Sequence, residues 1–176
     1  GNAVRYSDNK DKAEIVKVNF LPDDISAEAM YQRMVLKQKE FSSKINKGRP
    51  LKRNVIRMEI SPTKEESAGW TLADWVRLAN EYIQIFVSID LSKKTKRTSA
   101  KITNVKNRQY VVALHHDAKS GVPHLHIDVN RVDMDGKVND DHLIAERAMS
   151  AAYIINEWRG WVQPEDIYEK RRKEIA

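Results

Sequence analysis

Four of the chain's five histidines lie between positions 115 and 126. Two of them, His124 and His126, are separated by a single leucine. On a β-strand, residues two apart point to the same side of the sheet. The two imidazoles would then stand side by side, which suits two ligands of one metal ion. The pattern therefore predicts a metal site whose third ligand comes from another segment.

The third ligand is expected from the segment just upstream, residues 110–116, which reads as a strand. A turn at residues 119–121 would join it to the histidine pair in an antiparallel hairpin. Strand parity places the bulkier apolar side chains on the side of His116 and so favours His115 as the ligand. A β-bulge near the turn would exchange the two. Asp117 and His116 are then candidates to orient a ligand imidazole through its second N–H.

A His-x-His pair alone is often no more than two exposed histidines. Here four histidines and two aspartates fall within one predicted hairpin, and this clustering favours the metal site. Glu59, on a predicted strand at residues 54–61, could also act near the metal. A glutamate is equally expected on the solvent side of a half-exposed strand, where it would have no role at a metal.

The wider pattern around the histidines resembles the third motif of plasmid and transposon mobilisation relaxases, which belong to the HUH (His–hydrophobic–His) endonucleases. The matching residues are His115-x-Asp117, Pro123-His124-Leu125-His126, Asn130-Arg131-Val132-Asp133 and Gly136-Lys137. The Asn-Arg-Val-Asp tail is the specific part, because a bare His-x-His occurs widely. The spacing between the first histidine and the pair is slightly longer here than in many relatives, which leaves the third ligand open.

The same resemblance implies a nucleophilic tyrosine near the N-terminus. Val4-Arg5-Tyr6, followed by Lys10, Lys12, Ala13 and Glu14, matches the corresponding segment of relaxases. A tyrosine phenolate can attack a phosphodiester and form a covalent 5′-phosphotyrosyl bond, which keeps the bond energy for religation. Without the resemblance, Tyr6 would read as an ordinary N-terminal aromatic residue that packs on the domain.

The cofactor and partners are also implied by the resemblance. Relaxases of this type use Mg²⁺ or Mn²⁺, although three imidazoles would also bind Zn²⁺, Ni²⁺ or Co²⁺, and more tightly. The implied substrate is single-stranded or hairpin DNA at a transfer origin, together with accessory DNA-binding proteins. Five cations are candidate phosphate contacts, since neutralising phosphates supplies most of the affinity for DNA: Arg57, Lys101, Arg108, Arg131 and Lys137.

The order of predicted elements is strand, helix, strand, helix, strand, strand, helix. Helices are predicted at residues 26–45, from residue 71 to about 86, and at 141–158, because apolar residues recur there at helical spacing. This order indicates an α+β fold: a single domain with a central, mainly antiparallel sheet and helices packed on one face, as in relaxases. The domain would cover residues 1–176 and could be followed by the C-terminal regions that relaxases usually carry.

Composition is consistent with a DNA-binding protein. The net charge is +6 and the pI about 9.4, a balance that favours polyanionic partners. The absence of cysteine excludes disulfides and thiolate metal sites and is compatible with a cytoplasmic protein. No run of about 20 apolar residues predicts a membrane span. The alternatives are an HUH replication initiator or transposase, and a non-enzymatic DNA-binding module with a structural metal.

Overall fold

The computed structural model describes residues 13–49, 51, 54–93, 103, 105–116, 121–138 and 144–163. Within them the predicted order of strands and helices is confirmed, and two short 3₁₀ turns are added at Asn46–Gly48 and Val105–Asn107. None of the described helices is both long and apolar enough to cross a membrane. The elements are β1 (Glu14–Asn19), α1 (Ala27–Glu40), β2 (Val55–Ile60), α2 (Leu72–Ser88), β3 (Arg108–His115), β4 (His124–Asp133) and α3 (Ile144–Arg159).

The four strands form one antiparallel sheet in the order β1-β3-β4-β2. The predicted hairpin, β3 with β4, lies at its centre, and every residue of β3 is buried. β1 and β2 are the edge strands. The alternation of each strand therefore sorts its side chains onto two faces, and only one of these faces carries the histidines.

The face without the histidines is covered by α2 and α3, which confirms the predicted helical layer. Tyr110, Val112 and Leu125 from the sheet pack there against Leu78 and Phe86 of α2 in the main hydrophobic core. The helical spacing that predicted α2 is borne out, because its buried residues recur every three or four positions. At its start the carboxylate of Asp74 accepts a hydrogen bond of 2.8 Å from the backbone N–H of Thr71, as expected for a capping box.

A buried arginine of α3 ties the two covering helices together. The Nη1 of Arg147 donates to the carbonyl of Phe86 at 3.1 Å and to the carbonyl of Ile89, at the end of α2. These carbonyls have no partner within the helix, and a cation is favourable at the negative end of the helix dipole. Burial lowers the pKa of this guanidinium, an effect that nearby Asp90 opposes.

The first helix, α1, lies on the opposite face of the sheet, the one that carries the histidines. Met30 and Met34 are fully buried and pack with Val111 of β3 and with Leu21. Gln38, near the end of the helix, donates to the carbonyl of Asn54 at 2.9 Å. Among the described residues, α1 therefore covers the part of this face near Val111 and the start of β2, away from the histidines.

The turn after β4 depends on a glycine. Gly136 has a φ of +87°, and a Cβ at this position would overlap the ring of Phe41 just after α1. We expect Gly136→Ala to destabilise the protein by about 3 kcal/mol, combining left-handed strain with overpacking. Gly160 has a φ of +68° but open space around it, so Gly160→Ala should cost only about 1 kcal/mol. Denaturant unfolding measures both values; equal losses would show that Phe41 simply moves aside.

Candidate metal centre

The strand register brings three histidines to one patch of the sheet. His115 on β3 lies directly opposite His124 on β4, so the two side chains project to the same side. His126 follows two residues later on that face. The ring centroids are 4.2 Å apart for His115 and His126, 4.9 Å for His124 and His126, and 5.5 Å for His115 and His124. The three imidazoles therefore form one cluster on this face, at the end where β3 finishes and β4 begins.

A glutamate from the edge strand joins this cluster. Glu59 on β2 is the register partner of His126, and its Oε2 lies 3.6 Å from the Nε2 of His126. Its other oxygen lies 4.0 Å from the Nε2 of His124. Within the described part of the chain, Glu59, His124 and His126 form the group whose possible ligand atoms all lie within 4.8 Å of one another. His115 is in ring contact with both histidines but falls outside that group.

Two of these rings are held in place, His115 by burial and His124 by a hydrogen bond. The side chain of His115 is only 1% exposed. The Nδ1 of His124 lies 3.2 Å from the carbonyl of Val122. A carbonyl only accepts, so this bond requires the proton on Nδ1 and leaves Nε2 with its lone pair. That lone pair is on the nitrogen that faces Glu59, and a hydrogen bond to the other nitrogen is the usual support of a metal-bound imidazole.

His116 points elsewhere. It follows the end of β3, its side chain is 38% exposed, and its Nε2 lies 3.6 Å from Glu14 Oε1 on β1. His115, and not His116, therefore lies on the side that meets His124, as the alternation of the strand predicts. Three other candidates, Tyr6, Lys101 and Asp117, lie outside the described residues.

The predicted role of Arg108 is corrected by its position. The side chain is 2% exposed, and its Nη1 donates to the carbonyl of Asn130 at 3.1 Å and to that of Arg131. Burial lowers the pKa of Arg108 to about 10, with Asp133 opposing the shift and Arg131 adding to it, so the guanidinium still carries its charge at neutral pH. Arg108 is a buried connector of β3 to β4 and cannot contact a phosphate at the surface.

The remaining candidate cations are nearer the surface. Arg131 is partly buried on β4, and Lys137 is exposed in the turn that follows. Asp133 supports that turn, because its Oδ1 accepts hydrogen bonds from the backbone N–H groups of Asp135 and Lys137 at 2.9 Å each. Arg57 lies on β2, with its Nε 2.8 Å from Asp128 Oδ1 on β4.

The asparagine of the Asn-Arg-Val-Asp tail is a structural residue. Asn130 has no exposed surface; its amide nitrogen donates to the Met34 carbonyl at 3.1 Å and to Gln109 Oε1 at 3.0 Å. Its amide oxygen accepts from Gln38 Nε2 at 2.9 Å and from the backbone N–H of Val132 at 3.1 Å. These bonds fasten α1 to the sheet. The sequence motif indicated this residue, but only the placement of α1 shows its role.

Comparison with protein families identifies a match over most of the chain. Residues 6–161 match the family described as relaxase, MobA/VirD2-like, nuclease domain. No curated protein and no solved structure matches the chain. The matched region begins at Tyr6 and extends past the end of α3, so it includes the histidine cluster.

Proposed function

Because the chain belongs to the nuclease-domain family of MobA/VirD2-like relaxases, we propose that it nicks one DNA strand at a transfer origin during mobilisation of a plasmid or transposon. The observation that carries this proposal is the cluster of His115, His124, His126 and Glu59 on one face of the sheet. Nitrogen and oxygen donors from three strands converge there. A cluster of this kind is suited to holding a divalent cation beside a phosphodiester.

We take Mg²⁺ or Mn²⁺ as the working ion from the family, with the three imidazoles as the proposed ligands and Glu59 as an added oxygen donor, the donor type that these two ions prefer. Such an ion would polarise the scissile phosphate and offset the charge that develops in the transition state. His115 holds its ring against His126, and the Nδ1 bond of His124 fixes the direction of its Nε2. Zn²⁺, Ni²⁺ and Co²⁺ would also bind the imidazoles, so the donor set does not identify the native metal.

We assign the nucleophile to Tyr6. Its phenolic oxygen would form a bond to phosphorus while the bond from phosphorus to the 3′ oxygen breaks. The phenol proton goes to a base or to solvent, and the departing 3′ oxygen takes up a proton. The protein stays on the 5′ end as a phosphotyrosyl ester, so no bond energy is lost and the strand can later be rejoined.

Two other tyrosines are poorly suited to this reaction. Burial raises the pKa of both Tyr82 and Tyr110, so their phenols resist ionisation. Tyr82 donates its hydroxyl hydrogen to the carbonyl of Ala148 at 3.3 Å, within the layer of α2 and α3. Tyr110 packs in the same core, on the face away from the histidines. These positions support the choice of an N-terminal tyrosine.

The DNA strand would cross the histidine end of this sheet face, with its scissile phosphate next to the cluster. Arg57 is proposed as a phosphate contact on this face, and Arg131 and Lys137 as contacts near the far end of β4 and in the turn after it. Lys101 is proposed because it belongs to a basic segment, residues 93–108, which holds seven Lys and Arg residues and no acidic residue. These contacts give affinity without sequence preference. Recognition of the origin would then depend on the folded shape of the DNA and on accessory DNA-binding proteins.

Removal of the metal tests the proposed function. A supercoiled plasmid that carries the cognate origin should be converted to the nicked form when Mn²⁺ is present. Excess EDTA should stop the reaction, and added Mn²⁺ should restore it, because the histidine cluster alone cannot supply the cation's charge. A plasmid without the origin is the control. Nicking that continues undiminished in EDTA would contradict the metal-dependent mechanism.

A replication initiator or transposase with the same His-x-His chemistry receives no support from the family match. A DNA-binding module with a structural metal would bind the origin but leave the plasmid supercoiled. The same assay therefore separates an enzyme from a binding module.

A further inference from the structure

We propose that Asp128 is a positioning residue, which holds the guanidinium of Arg57 against the DNA phosphate next to the scissile one. This inference rests on the proposed function and adds to it a pair of residues, one of which, Asp128, was not expected from the sequence. The pair lies beside the candidate metal centre, on the same face of the sheet.

The register fixes this location. Arg57 is the cross-strand partner of Asp128, just as Glu59 is the partner of His126. Both pairs project to the same face, and they are separated along the strands by two residues. That step is about 6.8 Å in an antiparallel sheet, a distance that one nucleotide can bridge. A strand whose scissile phosphate lies at the histidines can therefore place a neighbouring phosphate at Arg57.

The chemistry of the pair favours an orienting role for the carboxylate. The side chain of Asp128 is 1% exposed, whereas that of Arg57 is 29% exposed. Arg57 contacts Asp128 through two nitrogens, with Nε to Oδ1 at 2.8 Å and Nη2 to Oδ2 at 3.4 Å. Two parallel contacts of this kind fix the plane of a guanidinium and not merely its position. The buried carboxylate thus fixes a cation that remains accessible from solvent.

The electrostatics of the face also require a cation there. Glu59 and Asp128 are two carboxylates next to the path proposed for a polyanion. Without Arg57, the carboxylate of Asp128 would repel the incoming phosphate. With Arg57 in place, the charge of Asp128 is balanced by a guanidinium, a planar group whose N–H donors suit phosphate oxygens. The contrast with Arg108 is informative, since that arginine is equally charged but too deeply buried to reach DNA.

The salt dependence of binding to single-stranded DNA tests the phosphate contact. The probe is a short mixed-sequence strand, with affinity measured by fluorescence anisotropy over a range of salt concentrations in the presence of EDTA. Loss of one phosphate contact should reduce the slope of log K against log salt by about 0.7. We expect this reduction for Arg57→Gln. The matched control is Arg77→Gln, which removes the same charge from the exposed surface of α2 and should leave the slope unchanged.

The orienting role of Asp128 is tested by the rate of nicking. Asp128→Asn keeps the shape and one acceptor but loses the charge, so Arg57 stays available while its direction is no longer fixed. We expect kcat to fall about tenfold with little change in KM, because misplacement affects the transition state more than binding. If Asp128 and Arg57 served only to stabilise the fold, Asp128→Asn would lower the melting temperature without a selective fall in kcat. If Arg57→Gln does not fold, the double variant Arg57→Met/Asp128→Leu replaces the pair by apolar side chains and should show the same reduced slope.

An unchanged salt slope in the folded arginine variant, or an unchanged kcat in Asp128→Asn, would overturn the inference. Either result, obtained with a wild-type protein that nicks the origin plasmid, leaves the proposed function intact. A wild-type protein that never nicks would overturn the proposed function itself, and the slope measurement in EDTA would still report on the phosphate contact.

Discussion

Tyr6→Phe is expected to reduce nicking of an origin plasmid by more than about 10³-fold, because the substitution removes only the attacking oxygen. Binding to origin DNA should change by less than about twofold, since the phenol is required for the reaction and contributes little to affinity. Nicking is measured as conversion of supercoiled to nicked plasmid, and binding by anisotropy with the same protein preparation.

The matched control for this variant is Tyr31→Phe. Tyr31 is partly buried on α1 and packs with the small cluster around Met30, so removing its hydroxyl should leave nicking unchanged. A Tyr6→Phe protein that nicks at the wild-type rate would exclude Tyr6 as the nucleophile. Loss of DNA binding together with loss of nicking would indicate that Tyr6 has a binding role.

His126→Ala should have the second largest effect. Its ring centroid is 4.2 Å from that of His115 and 4.9 Å from that of His124, and its Nε2 is 3.6 Å from Glu59 Oε2, so it lies next to every other donor of the cluster. Removal of one ligand should weaken Mn²⁺ binding and nicking by more than about 100-fold, a larger loss than is typical when only a supporting hydrogen bond is removed. Isothermal titration calorimetry with Mn²⁺ measures the binding.

The control for the histidine variant is His142→Ala. His142 is the only histidine outside the motif, so its removal should not alter Mn²⁺ affinity. Equal Mn²⁺ affinity for His126→Ala and the wild type would show that the cluster does not hold the ion. A fall in nicking with unchanged ion affinity would instead assign His126 to direct contact with DNA.

Local patterns were sufficient to predict the elements and the face of the histidines. A strand alternates with a period of two, so the parity of residues 110–116 placed His115 and not His116 on the side that meets His124. The amphipathic stripe of α2 likewise predicted the layer over the apolar face. These features depend on residues that are close in sequence, which is why they could be read from it.

Long-range pairing could not be read in this way. Glu59 and Arg57 both fall within the predicted strand at residues 54–61, but their partners His126 and Asp128 follow only from the register of β2 against β4. Arg108 ends a basic segment and was therefore interpreted as a surface cation. Its burial results from the meeting of β3 with β4, where the backbone carbonyls of Asn130 and Arg131 accept its hydrogen bonds. Two arginines of one sheet therefore differ in what they can contact: Arg57 is partly exposed and can reach a ligand, whereas Arg108 is buried and bonds only within the protein.

The placement of α1 was also beyond the sequence. The spacing of apolar residues predicted this helix, but not which face of the sheet Met30 and Met34 would pack against. The side chain of Asn130 on β4 helps to hold α1 on this face, because its amide nitrogen donates to the carbonyl of Met34 on α1 and to Gln109 on β3. Part of the most specific sequence motif therefore maintains the architecture around the site.

The most direct measurement is to map the covalent adduct between protein and DNA. The full chain is incubated with a supercoiled plasmid that bears the cognate origin and with Mn²⁺, then digested, and the peptide that carries DNA is identified by mass spectrometry. We expect the 5′ phosphate of the nicked strand to be attached to Tyr6. Attachment to another residue would contradict the assigned nucleophile, and nicked DNA without any covalent adduct would contradict transesterification altogether.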